Sequence, residues 1–477
     1  MNKSSSIIAL GGIVAVTILS IFLITGLRFE YDFEAFFPQH DPSTDFYMDF
    51  RERFETDNDF FIIVLENENG IFDAPFLARV DSLAENLKGV NEIVEVLSPT
   101  QLTEFSRDPF IGTVFERPLL RWNEPEYLNQ DSSLIYSRDG LVGIFFSEDG
   151  KSLAINMKHT ERLSKEKCDV LSDQITSLVS SYQWDKAHVI GRALGQKVLV
   201  ELMIKELTIF ISLSLLITVI FLFIAFRSGW GIVIPTLVVL IAILWTLGFM
   251  RIIGKNMDLM LTILPTIIFV VGMSDSVHVL TKYMQELRNG RDKVDAIRYA
   301  FKSIRLATFL TALTTSIGFL TLVLSDIKPI SDFGIYTSVG VMLAYALTFT
   351  MLPAILFLAK PKRLYEFSTN EDFWSAKLQR LFLFILRNKR AVFITGIVIL
   401  ATGVLGISMI KVDNVMLEDL RDDHLLKQEF RFIETHYAGV RPFEMSITIN
   451  EGKHWYDEDV LRGIDSIDVL LHSLYVD

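Results

Sequence analysis

Cysteine is almost absent from this chain, since only Cys168 among 477 residues carries a thiol. One cysteine cannot form a disulfide within a chain, so other interactions must hold the fold. Histidines such as His40, His159 and His188 lack metal-ligand spacing, and the chain has no glycine-rich phosphate loop, Walker motif or nucleophile elbow. The sequence therefore predicts no metal site, no cofactor and no enzymatic hydrolysis of ATP.

Positive charge is also in short supply. The formal net charge is −13, and the acidic excess lies mainly in the large polar segment after the first apolar run. Such a balance argues against nucleic acid as a partner and is typical of a solvated domain.

Long apolar runs are what the chain has in abundance, with hydrophobic residues making up 50% of it. Seven runs are long enough to cross about 30 Å of hydrocarbon. They cover residues 7–27, 207–226, 232–250, 259–281, 306–325, 333–359 and 391–410. The first is longer than the apolar core of a typical signal peptide, so we expect a retained helix.

Basic residues predict the orientation, because Lys and Arg concentrate on the cytoplasmic side of membrane proteins. They crowd the loops 282–305 and 360–390, whereas the loops 251–258 and 326–332 are short or acid-rich. We therefore expect a cytoplasmic N-terminus, with residues 28–206 and 411–477 on the outside. Arg251 and Lys255 are exceptions to this pattern.

The outer segment alternates strand and helix patterns. Residues 59–66 and 143–147 are typical of partly buried strands, and residues 74–87 and 162–182 have helical spacing of apolar side chains. This order predicts an α+β domain, with two subdomains that divide near residues 100–135.

An internal repeat determines the expected architecture. The stretch after the first apolar run and the stretch after the seventh share an acidic entry, an amphipathic helix with Phe-Arg, an alternating strand and a further helix, at an offset of about 383 residues. A repeat this long predicts two homologous halves. The second copy stops at the counterpart of about residue 94, so we expect a fragment or a shortened product that lacks most of its second half.

Three stretches, residues 226–250, 263–283 and 313–340, carry a resemblance to a known group. The chain resembles the resistance-nodulation-division (RND) superfamily of exporters, in its MMPL-like branch of hydrophobe exporters. The resemblance implies a polytopic α-helical membrane protein with an α+β extracytoplasmic porter domain. It also implies export of lipids or other amphiphiles from the bacterial inner membrane, driven by the proton-motive force.

This resemblance gives the segments their expected roles. They are a first membrane helix (1–27), a porter domain (28–206), a bundle of membrane helices 2–6 that resembles a sterol-sensing domain (207–359), a cytoplasmic linker with an amphipathic helix (360–390), a seventh membrane helix (391–410) and the start of a second porter domain (411–477).

Asp275 is the candidate for the chemistry, because a carboxylate inside the fourth apolar run costs about 2.5–3.5 kcal/mol at a helix centre. Such groups usually mark ion or proton pathways. His278 lies three residues later, on the same helical face. The family commonly carries GVDxxxH here; aligned on His278, Ser274 takes the usual aspartate position and Asp275 follows one residue later. We expect Asp275 to carry a proton, with His278 as its partner.

A polar stripe on the next helix completes the candidate relay. Thr311, Thr314 and Thr315 would meet Asp275 and Ser274 if the fourth and fifth helices pack face to face. Packing of small residues between helices is the alternative explanation for this stripe.

Two other functions remain open at this point. The bundle of helices 2–6 would suit a sensor that binds sterol-like lipid without pumping, and an accessory subunit of protein secretion is the third possibility. Expected partners are protons, membrane lipids or a hydrophobic substrate, and either the missing second half or further copies of the chain. Residues 373–386 predict an interfacial helix or a helix packed on the bundle.

Overall fold

The computed structural model describes residues 3–30, 34–54, 59–107, 114–138, 140–161, 163–226, 229–358, 371–410, 421–437, 439, 445–450 and 452–475. Fourteen α-helices occur in these ranges. They are α1 (Lys3–Ile24), α2 (Pro42–Phe54), α3 (Ala74–Lys88), α4 (Leu128–Tyr136), α5 (Lys165–Ser180), α6 (Arg192–Phe226), α7 (Gly229–Ile252), α8 (Leu264–Arg288), α9 (Lys293–Leu320), α10 (Lys328–Leu358), α11 (Glu371–Arg387), α12 (Lys389–Ser408), α13 (Leu425–His436) and α14 (Glu458–Tyr475).

Seven of these helices are long and apolar enough to cross a membrane, as the sequence predicts. They are α1, α6, α7, α8, α9, α10 and α12. Helix α10 contacts α1, α7, α8 and α9, so it is the central helix of the bundle. A single apolar core contains residues of α10 and of the helices α1, α6, α7, α8 and α9 that surround it.

The seventh span, α12, stands apart from that core. None of its described side chains is buried, and the described side chains of α11 from residue 377 onward are exposed too. Exposed leucine and phenylalanine on α11 favour an interfacial helix over one packed on the bundle, because apolar surface of this extent is stable only against lipid or a partner.

The outer domain is built on one four-stranded antiparallel sheet. Its strands are β1 (Phe60–Glu66), β2 (Ile93–Leu97), β5 (Ser152–His159) and β6 (Lys186–Gly191), in the order β2-β5-β1-β6. A separate hairpin pairs β3 (Thr103–Arg107) with β4 (Val114–Pro118). Side chains of β1 alternate between faces: Phe61, Ile63 and Leu65 pack with α3 and α5 in the main core.

Two expectations about this domain are wrong for the described residues. The strands β1 and β2 precede the division that was predicted near residues 100–135, while β5 and β6 follow it, yet all four share one sheet and one core. Residues 143–147 form turns with isolated bridges rather than a strand, because Gly143 has a positive φ of 85° that interrupts extended backbone.

The domain and the bundle are joined by an unbroken helix. Helix α6 begins at Arg192, directly after β6, and continues for 35 residues to Phe226. The predicted boundary near residue 206 therefore lies inside one helix. At about 1.5 Å per residue, α6 extends over roughly 50 Å, so the porter sheet and the second membrane span are mechanically continuous.

The second repeat is present as two helices and an extended segment. Helix α13 is the counterpart of α2, and α14 is the counterpart of α3. The alternating strand predicted here is only extended backbone in residues 445–450, with no paired strand among the described residues. Isolated strands are unstable because their backbone groups need partners. Part of the predicted linker and entry, residues 359–370 and 411–420, lies outside the described residues.

Candidate functional site

Asp275 lies inside the membrane bundle. The residue is 5% exposed, and its atom Oδ2 has no hydrogen-bond partner in the described part of the chain. Helix α8, which carries it, contacts α7, α9 and α10. A buried polar atom that lacks a partner is rare and costly, so such an atom usually has a role that depends on it.

Close helix packing creates this enclosure. A Cβ added to Gly272, one turn before Asp275, would lie 3.0 Å from Cβ of Ala344 on α10. A Cβ added to Gly340 would lie 2.3 Å from Cδ1 of Ile268 on α8. Only glycine allows α8 and α10 to approach this closely, as small residues do generally between membrane helices.

Hydroxyl pairs fix the helices around the carboxyl group. Ser276 on α8 hydrogen-bonds Thr348 on α10, with 3.0 Å between the two hydroxyl oxygens. Ser316 on α9 bonds Ser338 on α10 at 2.6 Å. Each bond is buried and ties α10 to a neighbour, so the helices on two sides of Asp275 are held in register.

None of the other predicted relay residues is buried as Asp275 is. Ser274, His278, Thr311 and Thr314 are exposed on the outside of the described bundle, and Thr315 is half-buried. The hydroxyls of Thr311 and Thr314 donate to carbonyls of their own helix, at Ala307 and Thr311, both at 3.0 Å. The structure therefore does not join the threonine stripe to the carboxylate.

The hydroxyl pair beside Asp275 is a feature that the sequence does not reveal. Ser276 follows Asp275 directly, but nothing in the sequence marks Thr348 as its partner, because the position of Thr348 relative to α8 depends on how the two helices cross.

The exceptional Lys255 is explained by its partners. Its ammonium lies 2.9 Å from a carboxylate oxygen of Asp332 and 2.8 Å from one of Asp258. Lys328 is also paired with Asp332. These ion pairs connect the loop between α7 and α8 to the start of α10. The positive charge of Lys255 is therefore balanced by neighbouring carboxylates.

A cavity of about 660 Å³ lies where the porter domain meets the ends of the membrane helices. Arg28 after α1, Lys328 of α10 and Arg192 of α6 line it together with Asp59 and His159 of the porter domain. Both of the latter residues are 2% exposed, and Asp59 Oδ2 and His159 Nε2 have no hydrogen-bond partner among the described residues. Glutamates line the cavity as well, and Arg28 pairs with Glu166 while Arg192 pairs with Glu34. The cavity is therefore lined by charges of both signs, with two buried polar atoms that have no partner among the described residues.

Burial controls the charge of these two groups. It raises the pKa of Asp59, against the opposing effect of Arg192. It also lowers the pKa of His159, whose Nδ1 lies 2.9 Å from the carbonyl oxygen of Thr160 and therefore donates to it. The neutral imidazole consequently presents Nε2 as an acceptor toward a ligand that can donate a hydrogen bond.

Comparison with known proteins agrees with this architecture. The model of the MMPL family matches residues 35–380. A protein of Methanocaldococcus jannaschii named as a membrane protein is 23% identical over 354 residues, which cover 72% of this chain and 88% of the relative. Similarly named proteins of Streptomyces coelicolor and Bacillus subtilis are 24% and 25% identical over 249 and 207 residues. Those matches cover 48% and 42% of this chain but only 34% and 22% of the two bacterial relatives.

Seven apolar helices, a porter-like outer domain and a carboxyl group enclosed in the bundle define a polytopic membrane protein of the transporter type. The chain belongs to the MMPL family, whose model covers well over half of its length. The resemblance inferred from the three stretches around Asp275 is thereby confirmed.

Proposed function

We propose that this chain moves lipids or other amphiphiles out of the bacterial inner membrane and uses the proton gradient to do so. The observation that carries the proposal is the buried, unpartnered carboxyl oxygen of Asp275 inside the bundle. A carboxyl group in that position exchanges one proton with water only when the helices around it move, which couples protonation to conformation.

The cavity between the porter domain and the membrane helices is the proposed binding site for the transported amphiphile. It lies at the outer ends of α1 and α10, where the polar head of an amphiphile would leave the bilayer. Its acceptors Asp59 and His159 suit a head group with hydrogen-bond donors, and its lining of both positive and negative side chains suits a polar or zwitterionic head group. Because α6 runs unbroken from β6 into the membrane, a tilt of that helix would alter cavity and bundle together.

The exposed polar stripe has a place in the same proposal. Ser274 and His278 on α8 and Thr311 and Thr314 on α9 are all exposed in the described bundle. A second bundle, from a second half or from another copy, would cover this surface and enclose the carboxyl group completely. His278 would then lie in that interface, three residues along α8 from Asp275, and would act as its proton partner.

The experiment is amphiphile movement in proteoliposomes. Purified protein is reconstituted with a fluorescent phospholipid, and a pH gradient is imposed across the membrane. We expect the lipid to move faster with the gradient than without it, and a protonophore should abolish the difference. Identical rates in all three conditions would contradict proton-driven transport.

A lipid sensor is the second candidate, because helices α6–α10 form a bundle with exposed apolar surface. Lipid binding with no gradient-dependent movement in the same vesicles would favour the sensor. The bundle alone does not distinguish the two functions, whereas the buried carboxyl group favours a pump.

A further inference from the structure

Tyr283 is a buried polar residue to which the proposed transport gives no role. It lies on α8 about two turns beyond Asp275, and its side chain is completely buried in the apolar core of the bundle. The hydroxyl of Tyr283 has no hydrogen-bond partner in the part of the chain that the structure describes. Phenylalanine would fill the same space without an unpartnered hydroxyl, so packing alone does not account for a tyrosine here.

Helix geometry relates Tyr283 to the hydroxyl pair beside Asp275. Ser276 and Tyr283 are seven residues apart, which places them within about 20° of each other around the axis of α8. Ser276 directly follows Asp275 and bonds Thr348 of α10. Long side chains on a helix point toward its N-terminus, so we expect the hydroxyl of Tyr283 to lie between its own Cα and Ser276 along the axis.

An ionic cluster of Lys282, Glu286 and Arg291 lies at the far end of the same helix. The carboxylate of Glu286 is buried, 3.0 Å from Nζ of Lys282 and 2.7 Å from Nε of Arg291. Arg291 is exposed and Lys282 partly exposed, so water reaches the cluster. It borders the basic loop 282–305, whose composition predicts the cytoplasmic side.

Tyr283 is the one buried polar residue of α8 between Ser276 and Glu286. The other buried residues of this interval are Val279, Leu280 and Met284, all of them apolar. Seven residues of helix span roughly 10 Å, so water must complete any path from Ser276 to Tyr283. Apolar packing admits water only when the helices move, and a path that is closed in between prevents a passive leak of protons.

We propose that the hydroxyl of Tyr283 passes the proton of Asp275 to water at the ionic cluster, on the cytoplasmic side of the bundle. The inference rests on the proposed proton-driven transport and adds the release step to it. A hydroxyl accepts one proton and donates another, so it transfers a proton without a lasting change of charge. The O–H bond of the protonated Asp275 breaks, each hydroxyl and each intervening water takes up one proton and gives up another, and the last proton ends on water beside Glu286.

The variant Tyr283→Phe tests the release step in proteoliposomes that hold a pH-sensitive dye and a fluorescent phospholipid. The substitution removes one oxygen atom and keeps the ring that fills the core. Tyr336→Phe is the matched control, because Tyr336 is also buried in the bundle but lies on α10, near the opposite end of the spans. Asp275→Asn is measured beside them as the variant without a carrier.

We expect Tyr283→Phe to lose at least tenfold of its gradient-driven proton flux and lipid movement while it binds the phospholipid as the unaltered chain does. Its unfolding temperature should be equal or higher, because a buried hydroxyl without a partner has been removed. The ratio of its rates in H₂O and D₂O should rise, since proton release becomes the slow step. Tyr336→Phe should change none of these quantities.

Two results would overturn the release step and leave proton-driven transport intact. One is undiminished proton flux in Tyr283→Phe when Asp275→Asn has lost it. The other is a loss of flux with a lower unfolding temperature, weaker lipid binding, an unchanged isotope ratio or an equal loss in Tyr336→Phe, any of which would make the hydroxyl structural. An unaltered chain without gradient-dependent movement would instead remove the proposed transport and this step together.

Discussion

At the scale of single residues, two titratable side chains stand out among the described residues: one has a carboxyl oxygen without a partner, and the other is a histidine with two partners. Asp275 lies in the bundle with an unpaired oxygen, whereas His188 in the porter domain lies between two carboxylates. Nε2 of His188 is 2.8 Å from Glu66, and its ring stacks on Phe432 of α13 at 3.9 Å between centroids. His188 therefore joins the first repeat to the second.

The docking of α13 should depend on pH through His188. Hydrogen bonds to Glu429 and Glu66 raise the pKa of His188 even though burial opposes them. A histidine with a raised pKa stabilises the docked state at low pH, and this contribution is lost as the pH rises through the raised value. Hydrogen exchange of α13, corrected for the intrinsic effect of pH, should therefore be slow in mild acid and faster in alkali.

The variant His188→Gln should remove that dependence and raise exchange in α13 roughly tenfold in mild acid, or about 1.4 kcal/mol. His454→Gln is the control, since His454 is exposed and lies outside α13. If α13 in the His188→Gln protein exchanged as slowly as in the unaltered chain, His188 would not stabilise the docking of α13.

The sequence places Asp275 inside an apolar helix, where the structure buries it, but it does not define the surroundings of the carboxyl group. A charge inside an apolar run is visible in the sequence. Which neighbours face it depends on a rotation of about 100° per residue and on the crossing of α8 with α9 and α10. For that reason the carboxyl group of Asp275 is buried while His278, three residues away, is exposed.

At the scale of elements, α10 organises the bundle through its small residues. Gly334 allows α10 to contact the backbone of α9: an added Cβ would lie 2.5 Å from the carbonyl oxygen of Phe319. Backbone cannot move aside as a flexible side chain can. The pair α9 and α10 therefore depends on glycine at this position.

Gly334→Ala should destabilise the bundle by about 1–3 kcal/mol, the usual cost of overpacking. Thermal unfolding of the protein in detergent should show a lower midpoint. Gly403→Ala on α12 is the matched control, because its added Cβ would have no atom within 4 Å. Equal midpoints for the two variants would argue against close contact between α9 and α10.

The elements that the sequence mispredicted share a cause. Helices over about 20 residues carry their own hydrogen bonds and were correctly identified, whereas a strand exists only with a partner. Residues 445–450 alternate correctly but have no partner strand in the described structure, and residues 143–147 are interrupted by a positive φ at Gly143. The sequence does not predict the length of α6, because its residues 192–206, about four turns, are polar enough to be assigned to the preceding domain.

At the scale of the whole molecule, the repeat and the distribution of basic residues predict an asymmetric membrane protein with its porter domain outside. Lys255 pairs with Asp258 and Asp332, but it stays an exception to the orientation rule, because that rule counts Lys and Arg rather than net charge. The described residues contain seven helices long and apolar enough to cross a membrane and one α+β unit, while the side of the membrane on which that unit lies stays a prediction.

Cysteine labelling of intact cells tests this orientation. In a Cys168→Ser background, cysteine at exposed Asn69 in the porter domain should react with an impermeant maleimide added outside. Cysteine at exposed Asn289, at the far end of α8, should react only after the membrane is permeabilised. If Asn289→Cys were labelled in intact cells and Asn69→Cys were not, the protein would have the orientation opposite to the predicted one.

Proton flux through single-residue variants is the measurement that tests the central claim most directly. Proteoliposomes that hold a pH-sensitive dye report proton movement when a fluorescent amphiphile is transported, and Asp295→Asn, an exposed acid at the start of α9, is the control. We predict that Asp275→Asn loses proton flux and gradient-driven transport together while still binding the amphiphile, and that Asp295→Asn retains both. Transport by Asp275→Asn at the unaltered rate, with the same proton flux, would contradict the assignment of Asp275 as the proton carrier.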